Sequence, residues 1–193
     1  MKQKKFILQE SEIPTQWYNI QADLPNKPLP PLNPQTHQPL SADDLSHIFN
    51  KECSKQELDQ EHAWIDIPED VLEKYTFYRS TPLVRAYALE EALGTPAHIY
   101  FKNESTNPLG SHKINSALPQ CYYCKQEGDT NVTTETGAGQ WGGCFVLCSQ
   151  TLWIGSGCLS GKDNHAAKTI SFQYYAYLWR YSRGFSFYEY KSW

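Results

Sequence analysis

The chain has 193 residues, 40% of them apolar and 20% charged, so it is long enough to bury the core of one domain or slightly more. Its 17 basic and 21 acidic residues give a formal net charge of -4, which argues against a function in binding nucleic acid or a membrane surface. No segment has the roughly 20 consecutive apolar residues of a membrane helix, and the apolar run after Lys5 is too short for a secretion signal. These features predict a cytoplasmic protein.

The cysteines indicate thiols rather than a disulfide framework, because six of them occur in a chain without an export signal. Cys121 and Cys124 form a C-x-x-C pair and Cys144 and Cys148 a C-x-x-x-C pair, spacings that also occur in zinc sites. The first pair continues a predicted helix, where a structural zinc site needs a tight turn. We therefore expect small buried side chains and no metal.

The composition changes abruptly after Gly142. The chain up to that residue carries 12 basic and 19 acidic residues, whereas the last 51 residues carry 5 and 2. Those 51 residues also hold 13 of the 27 aromatic residues and lack a clear helical or strand period. Three segments are predicted: an extended Pro-rich arm over 1–40, a folded domain over 41–142, and an anomalous tail over 143–193 that is not natively folded.

The predicted elements follow the arm in a regular order. Ser41 and Pro68 begin short helices, and Gly94 ends a third. The next predicted elements are a strand, a helix, a second strand and a glycine loop. This order is typical of an α/β domain with a parallel sheet. These four elements are predicted at 97–102, 111–125, 131–136 and 137–142.

The glycine loop Gly137-Ala138-Gly139-Gln140-Trp141-Gly142 fits the G-x-G-x-x-G pattern of dinucleotide-binding loops. A dinucleotide site also needs an apolar first strand and an acidic residue about 20 positions on, whereas this strand is Thr-rich and Asp163 lies in the anomalous tail. A dinucleotide-binding protein stays an alternative. Whatever the ligand, unobstructed backbone N–H groups at a helix start favour an anion such as a carboxylate or phosphate.

Lys113 is predicted in the first turn of a helix, where the helix dipole favours acidic residues. A lysine near a positive helix end and partly removed from water loses its proton more easily, which suits an amine that attacks an aldehyde. From these residues alone, a solvated lysine beside a turn and a surface charge at Glu135 are the more common interpretations.

Four longer motifs occur in this order: Ser80-Thr81-Pro82-Leu83, Phe101-Lys102-Asn103-Glu104, Asn107-Pro108-Leu109-Gly110-Ser111-His112-Lys113-Ile114-Asn115, and Thr134-Glu135-Thr136-Gly137-Ala138-Gly139-Gln140-Trp141-Gly142. Together they resemble the tryptophan synthase beta chain family. The arm around Ile13–Pro25, and Trp141 where the better-known class has His, resemble the alternate subfamily with a longer arm. The resemblance covers about residues 10–142 and implies the N-terminal part of the type II pyridoxal-phosphate fold, an α/β fold of three layers, αβα.

The resemblance implies a role for each of these residues. Lys113 would carry pyridoxal 5'-phosphate as a Schiff base, and His112 would contact its phosphate, with Asn115 and Gln140 as further cofactor contacts. Glu135 would be the acid/base that helps the serine hydroxyl leave and steers indole addition. Backbone N–H groups would hold the substrate carboxylate, at Thr136, Gly137, Ala138, Gly139 and Gln140.

The implied reaction is β-replacement, in which L-serine, or an activated serine, and indole give L-tryptophan and water. Full-length members of the family are homodimers, so the resemblance implies a homodimer, with or without an alpha chain. No nucleic acid or membrane partner is expected.

The tail does not resemble the family, which continues well beyond the glycine loop with a phosphate cup. Read one nucleotide later, suitable codons for residues 166–171 and 178–193 permit sequences similar to the family's downstream region. We therefore predict that residues from about Gly143 on are a frameshifted translation, and that this chain is an inactive fragment of a pyridoxal-phosphate lyase. The alternative is a non-catalytic remnant or interaction fragment whose aromatic tail binds a partner.

Overall fold

A computed structural model describes residues 2–152 and 155–160. The chain divides into two compact units. The first contains the residues up to Tyr18 and Trp64–His112, and the second contains Asn19–Ala63 and the residues from Lys113 on. The predicted Pro-rich arm over 1–40 is therefore shared between both units.

The described residues contain seven strands and six α-helices. In chain order they are β1 (Lys5–Phe6), β2 (Gln16–Tyr18), α1 (Ala42–Leu45), α2 (Lys51–Leu58), β3 (Trp64–Asp66), α3 (Glu69–Thr76), β4 (Leu83–Arg85), α4 (Tyr87–Leu93), β5 (Tyr100–Lys102), α5 (Ile114–Gln126), β6 (Asn131–Thr136), α6 (Gln140–Leu152) and β7 (Gly155–Ser160). None of these helices is long and apolar enough to cross a membrane.

The first unit is built on antiparallel strands. β4 pairs with β1 on one side and β5 on the other, with Val84 opposite Phe101. β2 and β3 form a separate antiparallel pair. Helix α3 buries Val71 and Tyr75 completely, and their spacing of four residues places them on one helix face. Gly94 ends α4 with φ 56°, the left-handed conformation that the sequence predicts for it.

The second unit contains a β–α–β arrangement in which β6 and β7 are parallel neighbours connected through α6. Helix α5 packs against α6. Four of its five buried residues have the spacing i, i+3, i+4, i+7 of one helix face, Ile114, Ala117, Leu118 and Cys121, and the fifth is Pro119. In α6 the buried residues Phe145, Cys148, Ser149 and Leu152 have the same spacing.

The mixture of helices and strands confirms the α/β class, while the parallel pairing differs from the prediction. Among the described residues, β6 is parallel to β7 and not to β5, which lies in the first unit. The strand predicted at 97–102 is reduced to Tyr100–Lys102, and the helix predicted from Ser111 begins at Ile114. The expected order of three layers stays a prediction.

Helix α6 crosses the boundary predicted at 143, because it runs through Gly142 and Gly143 without interruption, and the three predicted segments stay a prediction. Both glycines are buried, and Phe145 is only 7% exposed. Apolar residues at helical spacing therefore continue beyond the change in composition. Residues 161–193, where most of the predicted tail lies, are outside the described residues, and the frameshift stays a prediction.

Val71→Ala is expected to lower the free energy of unfolding by about 1.5–3 kcal/mol, since it removes two methyl groups from a fully packed site. Urea unfolding followed by circular dichroism measures the change. Leu29→Ala is the matched control, because Leu29 is 88% exposed and its truncation should cost less than about 0.5 kcal/mol. Equal losses in both variants would contradict the packing described for α3.

Candidate active site

Lys113 stands at the N-terminus of α5, with φ -60° and ψ -24°. Its carbonyl accepts hydrogen bonds from the backbone N–H groups of Ser116 and Ala117, at 3.1 and 2.9 Å, so the backbone is fixed by the helix. Its side chain is half-buried. The first turn of α5 has no acidic residue, so no carboxylate of its own neutralises this positive helix end.

The glycine loop is shorter than predicted. β6 ends at Thr136 and α6 begins at Gln140, which leaves three loop residues, Gly137–Gly139. The Thr136 hydroxyl oxygen accepts a hydrogen bond of 3.1 Å from the backbone N–H of Gly139. Gly139 has φ 90°, a conformation that other residues rarely adopt. A Cβ placed on Gly137 would meet no atom of the described residues within 4 Å, so the loop borders open space in this part of the chain.

Packing of α5 against α6 brings Lys113 to the start of α6. Its Nζ lies 5.9 Å from the centroid of the Trp141 ring. The Lys113 charge also reaches Cys144, whose thiol pKa rises to about 11 through burial while that charge acts in the opposite direction. The amine therefore lies near Trp141, two residues after the glycine loop, although α5 and β6 separate the two residues along the chain.

The other predicted site residues lie around these two features. Asn115 is in the first turn of α5 and half-buried, and Gln140 is the exposed first residue of α6. Glu135 lies in β6 opposite Leu159 of β7. His112 is exposed and is the last residue of the first unit. Thr136 is buried, whereas Gly137 and Ala138 are exposed.

A polar network in the first unit joins residues for which the sequence alone predicts no role. The Thr81 hydroxyl donates a 2.8 Å hydrogen bond to the Glu104 carboxylate. The Lys102 ammonium lies 3.6 Å from the same carboxylate and also bonds to the hydroxyl and carbonyl of Thr81. These three residues belong to two of the four motifs that carry the family resemblance. The presence of these residues in the family-like motifs is the sequence signal that could have pointed to the network.

Asn107 extends this network to the residues that precede His112. The side chain is only 5% exposed, and its amide donates to Glu104 and to the carbonyl of Ser111, both at 2.9 Å. Its carbonyl oxygen accepts from the backbone N–H groups of Leu109 and Ser111, at 3.0 and 3.3 Å. Both donors and both lone pairs are therefore used, which fixes the turn from Asn107 to Ser111.

The charge of Glu104 is stabilised by this network. Burial acts to raise the pKa of its carboxyl, but hydrogen bonds from Thr81 and Asn107 and the charge of Lys102 outweigh it and hold the pKa below its usual value. The Glu104 carboxylate is therefore ionised at neutral pH, where it acts only as a hydrogen-bond acceptor.

Three thiols of the second unit, those of Cys121, Cys144 and Cys148, are buried as the sequence predicts, whereas Cys53 and Cys124 are half-buried. Burial raises the pKa of Cys121 and Cys148, and raises that of Cys124 to about 11. These cysteines therefore act as small packing residues at neutral pH. Within the part of the chain that the structure describes, no three His, Cys, Asp or Glu side chains gather as a metal site.

The arrangement suits a ligand that carries both an aldehyde and an anionic group. A half-buried amine can bond to the carbonyl carbon, and the N–H groups of a glycine loop at a helix start can hold a carboxylate or phosphate. Open space next to Gly137 leaves room for such a ligand. Asp163, the acidic residue that a dinucleotide site requires, lies outside the described residues.

Comparison with known proteins confirms the resemblance found in the sequence. Residues 75–160 match the family of pyridoxal-phosphate dependent enzymes, and the match extends past the change in composition at Gly142. Proteins named tryptophan synthase beta chain 2 from Methanosarcina acetivorans and Aquifex aeolicus are each 50% identical over 147 residues, which are 76% of this chain and 33% and 34% of theirs. Another of that name, from Thermotoga maritima, is 55% identical over 135 residues, 70% of this chain and 32% of its own. The chain thus spans about a third of the length of the curated relatives it matches.

Glu104→Gln is expected to lower the free energy of unfolding at pH 7 by about 1–2 kcal/mol, because a charged acceptor is lost from the network. The folded-state pKa of Glu104 lies below its ordinary value of 4.5. Its contribution is therefore fully present above that pH and is lost as the pH falls through the folded-state pKa. The difference between wild type and variant should shrink below about pH 4.5.

Urea unfolding at a series of pH values measures this difference. Glu91→Gln is the matched control, since Glu91 is exposed in the same unit. A difference between wild type and Glu104→Gln that stays constant down to pH 3 would contradict the role given to the Glu104 charge.

Proposed function

We propose that the chain carries the lysine-bearing part of a tryptophan synthase beta chain, since residues 75–160 match the family of pyridoxal-phosphate dependent enzymes and the relatives carry that name. One observation supports this above all others. The amine of Lys113 lies beside Trp141, directly after the glycine loop, so the two candidate binding features share one location in the second unit. The relatives' names supply the reaction, and the geometry of these residues fits it.

The cofactor of the proposed function is pyridoxal 5'-phosphate, which when bound supplies an aromatic ring that accepts electrons from the substrate. Lys113 would hold it through its side-chain nitrogen, at the positive end of α5. His112, Asn115 and Gln140 are the proposed further contacts. The Asn107 turn restrains the backbone that leads to His112, and the first turn of α5 holds Asn115.

The proposed substrates are L-serine and indole. The serine carboxylate would be held by backbone N–H groups of Thr136, Gly137, Ala138 and Gln140, where the loop turns into α6, and by that of Gly139 once it leaves the Thr136 hydroxyl. Glu135, the residue before Thr136, would give a proton to the serine hydroxyl as that group leaves. It would then take a proton from indole as indole adds. The product of this β-replacement is L-tryptophan.

A whole enzyme of this kind is proposed to be a cytoplasmic homodimer, with an alpha chain as a further partner. These properties concern the longer proteins that the relatives represent, since the chain spans about a third of their length. The described residues support the part of the proposal that concerns cofactor and substrate binding, through Lys113 and the glycine loop.

The proposed role of Lys113 predicts selective labelling by pyridoxal phosphate. When the full chain is incubated with limiting pyridoxal phosphate and sodium cyanoborohydride, residue 113 should acquire the pyridoxyl label before other lysines. Lys113→Arg, which keeps the positive charge, should abolish this label. Peptide mass spectrometry locates and quantifies it.

Lys125→Arg is the matched control, because Lys125 is an exposed lysine in the last turn of the same helix. This change should leave labelling at residue 113 intact. If Lys113 and Lys125 are labelled equally in the wild-type chain, the proposed cofactor role of Lys113 is wrong.

We also expect that the 193-residue chain makes no measurable tryptophan by itself. The family resemblance implies a glycine-rich phosphate cup, which is not among the motifs found in this sequence. Purified chain incubated with L-serine, indole and pyridoxal phosphate should therefore give no product above a Lys113→Arg control, as measured by chromatography. Product formation that depends on Lys113 would contradict the prediction that this chain is inactive.

A further inference from the structure

Trp141 has no side-chain role in the proposed function, yet its ring lies next to the lysine on which that function depends. It is the second residue of α6 and half-buried. The ring contacts that of Phe145, with centroids 5.6 Å apart and planes inclined by 44°. Because Phe145 is only 7% exposed, the indole rests on a buried and well-packed neighbour.

The Lys113 ammonium is 5.9 Å from the centre of this ring. At such a distance the negative face of an aromatic ring attracts a cation, and Trp attracts it more strongly than Phe or Tyr. A lysine side chain has four flexible carbons, so each contact with its charged end narrows the positions that it samples. A ring that is itself fixed restricts those positions.

We propose that Trp141 is a positioning residue for Lys113, whose amine its ring holds at the start of α6, beside the glycine loop. This inference rests on the proposed function, because positioning the amine serves a purpose only if Lys113 binds the cofactor. The contact between ring and amine can nevertheless be tested without the cofactor.

The first experiment uses the full chain without pyridoxal phosphate. Its lysines are dimethylated with ¹³C-formaldehyde and a borane reductant, which keeps their positive charge, and the Lys113 methyl signal is assigned by its loss in Lys113→Arg. The ring current of Trp141 should displace this signal from those of exposed lysines. Trp141→Leu should return it to their position, whereas Trp141→Phe should preserve part of the displacement.

The second experiment measures labelling by limiting pyridoxal phosphate and cyanoborohydride, as the ratio of label on Lys113 to label on Lys125. Trp141→Leu should reduce this ratio about two- to fivefold, and Trp141→Phe should largely restore it. Leu fills a similar apolar site without an aromatic face, so a role in packing alone would not separate the two variants. Trp64→Leu is the control, because Trp64 is 60% exposed and lies in the first unit.

The outcomes distinguish this inference from the proposed function. Equal labelling ratios in wild type and Trp141→Leu, with an unmoved methyl signal, overturn the role of Trp141. A wild-type chain that does not prefer Lys113 overturns the proposed function, while the methyl signal still tests the contact. If Trp141→Leu does not fold, the wild-type signal decides, since a Lys113 signal at the position of exposed lysines overturns the inference.

Discussion

The packing of α5 against α6 is the constraint on which the candidate site depends. Each helix presents a stripe of buried residues to the core of the second unit, and several of these are small, as Ala117, Cys121 and Cys144 illustrate. Small side chains let two helices approach closely. Since Lys113 precedes α5 and the glycine loop precedes α6, the distance between them follows from this contact. Neither helix alone would bring the Lys113 amine near the residues that follow the glycine loop.

The same contact explains the use of cysteine in this part of the chain. Cys121, Cys144 and Cys148 are almost completely buried, and loss of water raises the pKa of each thiol. A neutral thiol is a compact and weakly polar group, so it fills the helix contact without requiring a hydrogen-bond partner. The spacing of four residues between Cys144 and Cys148 thus reflects the period of a helix face.

Local signals in the sequence identified many of the elements, and distant contacts decided the rest. Strand β6 lies where its β-branched residues predict it, and Ser41 caps α1 as its spacing to Asp44 indicates. Ser111 was expected to begin a helix, but Asn107 bonds to both its backbone groups and holds it in a turn. No local pattern reveals that bond, because it depends on how the buried carboxamide is oriented.

The candidate site shows the same division. The sequence pointed to Lys113 and the glycine loop, because a lysine at a positive helix end and a glycine row after a strand are local anomalies. The contact between Lys113 and Trp141 depends on the packing of two helices and had no comparable signal. The extent of the loop was also hidden, since Gln140, Trp141 and Gly142 join α6 once their neighbours are buried.

Hydrogen bonds hold the backbone both at Ser111 and at Lys113. In the first unit, Asn107 and Glu104 fix the turn that ends at Ser111. In the second, the hydrogen bonds of α5 fix the backbone of Lys113 from its carbonyl onward. With its backbone held by the helix, Lys113 changes position mainly through rotations in its side chain. Such a residue can keep its backbone in place while its nitrogen moves between two bonding partners, which is what an amine that holds and releases a carbonyl compound requires.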